Sequence, residues 1–374
     1  MKWSWHVGRI AGIDIRVHAT FPLLFAWIAL SAVRSGATPA SVLGTVALIL
    51  TVFTLVVLHE YAHALVARRF GVHTRDITLL PIGGIARLER MPREPRQELL
   101  IALAGPAVNV LLAVILYAAL ALSGDLARLR ELDAAGTATM TSATALAQLF
   151  AINVSLAVFN LLPAFPLDGG RVLRALLAMR GGDYTKATVT AARVGRAFAL
   201  LFGLVGLFVI NSPMLVVISL LVWLSAASEA AAVQTAAALA DVPLASLLIT
   251  DVRTLAPNDP LSRAAELTIQ GYQQDFPVID NGAVVGMLSR AELVRGLAKH
   301  GSGGTVISAM RRDFHSSTPD DTPEDAMKEL ATNGGEALPV LRDGKLVGLL
   351  TAENVMEFLM LKNALGSVAA REIQ

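Results

Sequence analysis

Two histidines, a glutamate and a remote aspartate have the types and spacing to do chemistry in this sequence. His59, Glu60 and His63 share one pentapeptide, His-Glu-Tyr-Ala-His, directly after an uncharged apolar run. On a helix, residues four apart share a face, so the two imidazoles can direct nitrogens at one metal ion. Glu60 then faces about 100° away from His59 and is free to take a proton from a water held there. Two nitrogens do not complete a catalytic zinc site, which takes three protein ligands and keeps one position open. The chain has no cysteine, so the third ligand must be a histidine or a carboxylate. Asp168 is the candidate, in Asn160-Leu-Leu-Pro-Ala-Phe-Pro-Leu-Asp-Gly-Gly. Pro163 and Pro166 break a helix while Gly169 and Gly170 free the backbone, so Asp168 can turn inward. A metal-held water beside a carboxylate base is the chemistry of amide hydrolysis. Taken singly, the His pair also reads as an interfacial or hydrogen-bonding pair and Asp168 as a turn residue. Their convergence at one depth favours the metal.

The elements that must position these residues are membrane helices. Of 374 residues 54% are apolar and only 16% charged, with a mean hydropathy of +0.59, which implies a polytopic membrane protein. Uncharged stretches at 35–58, 99–124, 134–167 and 197–228 are each long enough to cross a hydrocarbon core of roughly 30 Å. Asn211-Ser212-Pro213 divides the last into two helices, and the segment 17–33 adds another, giving six crossings. That first segment reads as an uncleaved helix rather than a signal peptide. Its lead holds Gly8, Gly12 and the alternating Ile13, Ile15 and Val17 of a strand pair. From about residue 240 the chain reads as soluble. Net charge is +1, so nothing points to nucleic acid as a partner.

Lys and Arg set the orientation. With the N-terminus in the cytoplasm, the inner loops hold sixteen (Lys2, Arg9, Arg16, Arg68, Arg69, Arg75, Arg87, Arg90, Arg93, Arg96, Arg171, Arg174, Arg180, Lys186, Arg193 and Arg196). The outer loops hold three, Arg34, Arg128 and Arg130. This bias puts both termini and the cytoplasmic end of the second helix, with its His-Glu-Tyr-Ala-His, on the same side.

With these motifs in view, the sequence resembles the site-2 protease family of intramembrane zinc metalloproteases over roughly residues 40 to 175. The resemblance implies that His59, His63 and Asp168 bind one zinc ion per chain, that Glu60 is the base and that Asn160 helps position substrate. Residues 71–88, rich in β-branched residues around Gly83-Gly84, read as a membrane-associated hairpin. Its edge can accept an extended substrate strand by backbone pairing; an ordinary surface hairpin is the other reading. Ala104-Gly105-Pro106-Ala107-Val108-Asn109 also resembles a family segment, and close helix packing is sufficient to explain its small residues.

The soluble part contains a repeat offset by 62 residues. Pro257, Asp259, Ala264, Pro277, Val278, Gly282, Val285, Gly286 and Leu288 recur at Pro319, Asp321, Ala326, Pro339, Val340, Gly344, Val347, Gly348 and Leu350. Asn281-Gly282 and Asp343-Gly344 signal two-residue hairpins. The copies resemble CBS domains, which implies a paired module binding ATP, ADP or AMP. The positions matching the family's nucleotide contacts are Ser289 with Glu292 and Thr351 with Asn354. Neither pair keeps the family's Asp, and a module serving only dimerisation is the alternative.

The expected architecture is an α-helical polytopic membrane domain, with six transmembrane helices and a membrane-associated β-hairpin, plus an α/β cytoplasmic CBS pair. Residues 1–236 form the metalloprotease domain, 237–302 the first CBS domain, and 303–374 the second with the C-terminal tail. The expected function is zinc-dependent cleavage of membrane-spanning or membrane-associated proteins near the cytoplasmic face of the cell membrane. An adenine nucleotide regulates it, and a homodimer forms through the CBS module. A metal-binding transporter and a non-proteolytic membrane-tethered nucleotide sensor are the alternatives. Neither needs Glu60 beside the ligands.

Overall fold

A computed structural model describes residues 3–81, 83–88, 92, 94–127, 129, 142–271, 273–333 and 336–371. Lys2, Arg90, Arg93, Arg128 and Arg130 of the charge count lie outside the described residues. The chain divides into two compact units, Met1–Ala231 and Ala232–Gln374.

The first unit opens with strands β1 (Ser4–Ile10) and β2 (Ile13–His18), then helices α1 (Phe21–Ser35) and α2 (Pro39–Arg69). Thr38 caps α2 by accepting the Ser41 N–H, and Pro39 opens its first turn. His59 lies about 30 Å along this helix, roughly one hydrocarbon thickness from its start. Strands β3 (Thr74–Leu80) and β4 (Gly83–Leu88) follow, then α3 (Pro95–Ser123), α4 (Ser142–Asn160), α5 (Asp168–Gly181), α6 (Tyr184–Phe208) and α7 (Pro213–Leu239). Among the described residues, α2, α3, α6 and α7 are long and apolar enough to cross a membrane. The segment Phe21–Ser35 and Thr144–Asn160 are shorter apolar helices. Side chains such as Trp27, Val33, Leu111, Val114 and Phe208 stand exposed on these helices, an apolar surface that lipid would cover.

The two strand pairs expected from sequence join into one sheet, ordered β1-β2-β3-β4. β2 runs parallel to β3, with Ile15 opposite Ile77 and Val17 opposite Leu79; β1/β2 and β3/β4 are antiparallel. Ile13 and Ile77 pack on Tyr61 and Ala64 of α2, the Tyr61 hydroxyl donates to the Ile10 carbonyl, and Arg68 donates to that of Ala11. The sheet is thereby seated on the helix that carries the two histidines.

The second unit holds the repeat. Its first copy has α8 (Leu261–Gln270), β5 (Phe276–Asp280), β6 (Ala283–Leu288) and α9 (Arg290–His300), followed by the short α10 (Val306–Ala309). The second has α11 (Pro323–Thr332), β7 (Leu338–Arg342), β8 (Lys345–Leu350) and α12 (Ala352–Arg371). Both hairpins turn through positive-φ pairs, Asn281-Gly282 and Asp343-Gly344, as their sequences predict. The copies interleave. Ile249, ahead of the first copy, bridges to Leu349 of the second, while Arg311, 62 positions on, bridges back to Met287 of the first. Leu244, Leu247 and Leu248 accordingly pack with Leu338, Val340 and Leu350, and Val306 packs with Leu261, Phe276 and Leu288.

Candidate active site

The site is built where α2 and α3 meet the start of α5. His59 and His63, one turn apart, and Asp168 are all buried. Their Nε2, Nε2 and Oδ2 atoms form a near-equilateral triangle: 3.1 Å between the histidines, and 3.2 Å from each to Asp168. Three ligands at zinc bond lengths around a tetrahedral ion stand about 3.3 to 3.4 Å apart, so the triangle matches a zinc face to within about 0.3 Å. Among the described residues, this is the group of His and carboxylate side chains arranged to hold a metal. His63 Nδ1 lies 2.6 Å from the Ile101 carbonyl, which can only accept. The proton is therefore on Nδ1, and the Nε2 lone pair faces the triangle.

Asp168 reaches this position through a compact turn. α4 ends at Asn160, and α5 begins at Asp168, where a carboxylate suits the helix dipole. Between them, Ala164 and Phe165 are buried against Ala191, Ala192 and Ala199 of α6, and Val222 and Ala226 of α7. A Cβ on Gly169 would stand 2.2 Å from the Leu162 carbonyl, and one on Gly170 2.7 Å from the Phe165 nitrogen. The two glycines let the first turn of α5 fold back onto the loop that precedes it. Asn160 is partly exposed at the end of α4.

Two glycines on other elements touch the same site. A Cβ on Gly105 of α3 would meet His63 Nε2 at 2.3 Å and His59 Nε2 at 2.6 Å. Close helix packing is therefore not the whole reason for a glycine here, since any side chain would crowd the Nε2 atoms of both imidazoles. On β4, a Cβ at Gly84 would meet Val56 Cγ1 at 3.0 Å and Glu60 Cγ at 3.1 Å, so that strand's backbone lies against Glu60. β4 is an edge strand, with one side of its backbone unpaired within the sheet.

One residue counted as a loop charge proves to be buried. Arg174 is 1% exposed and bonds Glu98 and Glu229. Neither partner is near it in sequence, so no spacing signal marks the cluster.

In the second unit, the four positions expected to meet a nucleotide serve the chain's own helix ends. Ser289 and Glu292 form a reciprocal capping box on α9. Thr351 accepts the Asn354 N–H at 3.1 Å, and the Asn354 amide donates to the Leu247 carbonyl at 2.6 Å.

Comparison with known proteins then gives the family. The model of peptidase family M50 matches residues 47–202, and the CBS domain model matches 244–299 and 306–361. A zinc metalloprotease of Methanocaldococcus jannaschii is 31% identical over 369 residues, covering 98% of this chain and 99% of that one. The chain belongs to peptidase family M50. Stage IV sporulation protein FB of Bacillus subtilis is 31% identical over 164 residues, 43% of this chain and 51% of that protein. Among solved structures, the site-2 protease from Methanocaldococcus jannaschii is 34% identical and covers 61% of this chain and 95% of that one, with a TM-score of 0.43. As an M50 member with a tandem CBS module, this chain is a zinc metalloprotease of the site-2 type.

Proposed function

We propose that His59, His63 and Asp168 hold the zinc and that Glu60 is the general base for peptide hydrolysis. The observation that carries this reading is the 3.1 to 3.2 Å triangle of ligand atoms with Glu60 next to its first member. His59, His63 and Asp168 would hold the zinc, which when bound would supply Lewis acidity and an acidified water. Glu60 takes the water's proton and returns it to the leaving amine, while Asn160 orients the scissile carbonyl. The free edge of β4 binds the substrate as an extended strand, which exposes a peptide bond that a helix would shield. Its contact with Glu60 supports this role for a membrane-associated hairpin.

The substrate in this reading is a membrane-spanning or membrane-associated protein, cut near the cytoplasmic face. α1 and α4 join the four longer helices as crossings, and both termini are cytoplasmic. The metalloprotease domain spans residues 1–236, the first CBS domain 237–302 and the second 303–374. In this reading an adenine nucleotide is the regulator and a homodimer forms through the CBS module at 244–299 and 306–361. A nucleotide at Ser289, Glu292, Thr351 or Asn354 has to displace hydrogen bonds that now cap α9 and α12. Calorimetric titration of the full chain with ATP, ADP and AMP tests this part; absence of heat with all three rejects it. The protease assignment is tested by purifying wild type and Glu60→Gln and measuring zinc content and substrate cleavage. Zinc in both with cleavage by the wild type alone is expected, and cleavage by Glu60→Gln removes Glu60 from the role.

A further inference from the structure

Arg174 is among the largest fully buried side chains in the protein, and everything it touches belongs to elements that frame Asp168. Its Nε donates to Glu98 Oε1 at 2.8 Å, Nη2 donates to the same oxygen, and Nη1 donates to Glu229 Oε1 at 2.5 Å. Glu98, on α3, is wholly buried; Glu229, on α7, is partly exposed. The guanidinium also lies 5.0 Å from the ring centroid of Phe165, in the turn before Asp168, and 4.9 Å from that of Tyr184, which opens α6. One side chain thus ties α5 to α3, α6, α7 and the preceding turn.

Arg174 follows Asp168 by six residues on α5, so it lies about 9 Å along the axis and about 120° around it. A tether there controls the roll of the helix. A carboxylate oxygen lies about 6 Å from the axis, so a 20° roll moves it by about 2 Å, while a metal ligand tolerates only about 0.2 Å. The Gly169-Gly170 contacts bear on where α5 starts, and the contacts of Arg174 bear on its roll.

We propose that Arg174, locked by Glu98 and Glu229, is a positioning residue that sets the orientation of Asp168 toward His59 and His63. This rests on the assignment of those three residues as zinc ligands. The test uses the full chain in detergent, with zinc affinity measured by chelator competition and site geometry read from the visible spectrum of the cobalt-substituted protein. Arg174→Lys keeps the charge and loses the fork. The double variant R174M/E98M removes both buried charges, leaving neither without a partner. Each is expected to fold and to bind zinc roughly tenfold to a hundredfold more weakly, the range for lost outer partners of a metal ligand. The cobalt spectrum changes with it. A folded double variant with wild-type zinc affinity and spectrum overturns the proposal. If neither variant folds, Glu229→Gln decides: a several-fold loss of zinc affinity is expected, and unchanged affinity overturns it. His63→Ala runs in parallel. If the wild type binds no zinc, or His63→Ala binds it equally well, the ligand assignment fails instead.

Discussion

Replacing Gly105 by alanine adds a single methyl group against the Nε2 atoms of the two imidazoles. That Cβ would sit 2.3 Å from His63 Nε2, against the 3.4 Å at which ordinary contact begins, so about 1.1 Å of separation has to be found. Two adjustments are available. The His63 ring can swing away, which stretches its 2.6 Å bond to Ile101, or α3 can withdraw from α2, which opens the packing of Ala67, Val72 and Ile101. The first moves the imidazole about five times further than the roughly 0.2 Å that a zinc ligand tolerates, and the second draws the Ile101 carbonyl away from His63 Nδ1. Alanine is intrinsically the better helix former by about 1 kcal/mol, so global unfolding is not the expected outcome. The prediction is a folded G105A with zinc affinity down by about a hundredfold, or about 2.7 kcal/mol, and cleavage reduced at least in proportion. Metal analysis after dialysis and a cleavage assay give the two readings. Gly181→Ala is the control, since a Cβ there meets nothing within 4 Å. G105A with one tightly bound zinc and more than half of wild-type cleavage would refute the claim that a side chain at 105 displaces the two histidines.

Gly84→Ala crowds Val56 and Glu60 without touching a ligand, so zinc content is expected to hold while cleavage falls; loss of zinc would show that β4 supports the metal rather than the substrate. Burial pushes the Asp275 carboxyl up, as do Glu336 and Glu292 nearby, although it accepts the Ala337 N–H. Its protonated form favours the folded state, so this contribution is full below the ordinary carboxylate range and is lost as pH rises through the raised value. Asp275→Asn should therefore raise the melting temperature at pH 7 and flatten its pH dependence; a lower value at pH 7 contradicts the assignment. Asp321 behaves in the opposite sense, because the Ser317 hydroxyl and the Thr318 N–H hold its carboxyl below the usual range. Its contribution is present above the unfolded value and disappears as pH falls through the folded one, so Asp321→Ala should lower stability at pH 7 and have no effect in strong acid.

The three residues proposed as ligands were legible as a group because each rests on a local rule, and the structure brings them together. The i, i+4 spacing puts His59 and His63 on one face, and the Pro and Gly residues around Asp168 announce a turn without revealing its path. Other features lacked a local signal. The parallel pairing of β2 with β3 joins residues about 60 positions apart, and alternation marks each strand without naming its neighbour. The interleaving of the CBS copies depends on Ile249 and Arg311, which share no identity, although the repeat around them is plain. Ser289-x-x-Glu292 is a different case. The spacing is a capping-box signature in its own right, and the structure spends both side chains on that box. The repeated Pro-x-Asp has a similar local explanation: Asp259 accepts the Ala256 N–H, and Asp321, 62 positions on, accepts that of Thr318.

Arg174 shows why counting charges along the chain is incomplete. The positive-inside rule treats an arginine by its position in sequence, and in that count Arg174 was one of many. A buried guanidinium left unpaired in a low-dielectric interior is very costly, so its burial implies carboxylates aimed at it from elsewhere. Glu98 and Glu229 lie 76 and 55 positions away, and only the packed helices bring them together. α5 therefore carries one member of each buried charge cluster, Asp168 and Arg174, six residues apart on a single rigid element. The two clusters differ in what completes them. Arg174 is matched by anionic carboxylates, whereas Asp168 faces two imidazoles, of which His63 presents a lone pair rather than a proton. A carboxylate oxygen and that lone pair, 3.2 Å apart and buried, repel unless a cation is shared between them. On the ligand assignment proposed above, α5 has Arg174 paired by the protein's own carboxylates and Asp168 completed by a bound zinc, and that asymmetry suits the helix to holding a metal.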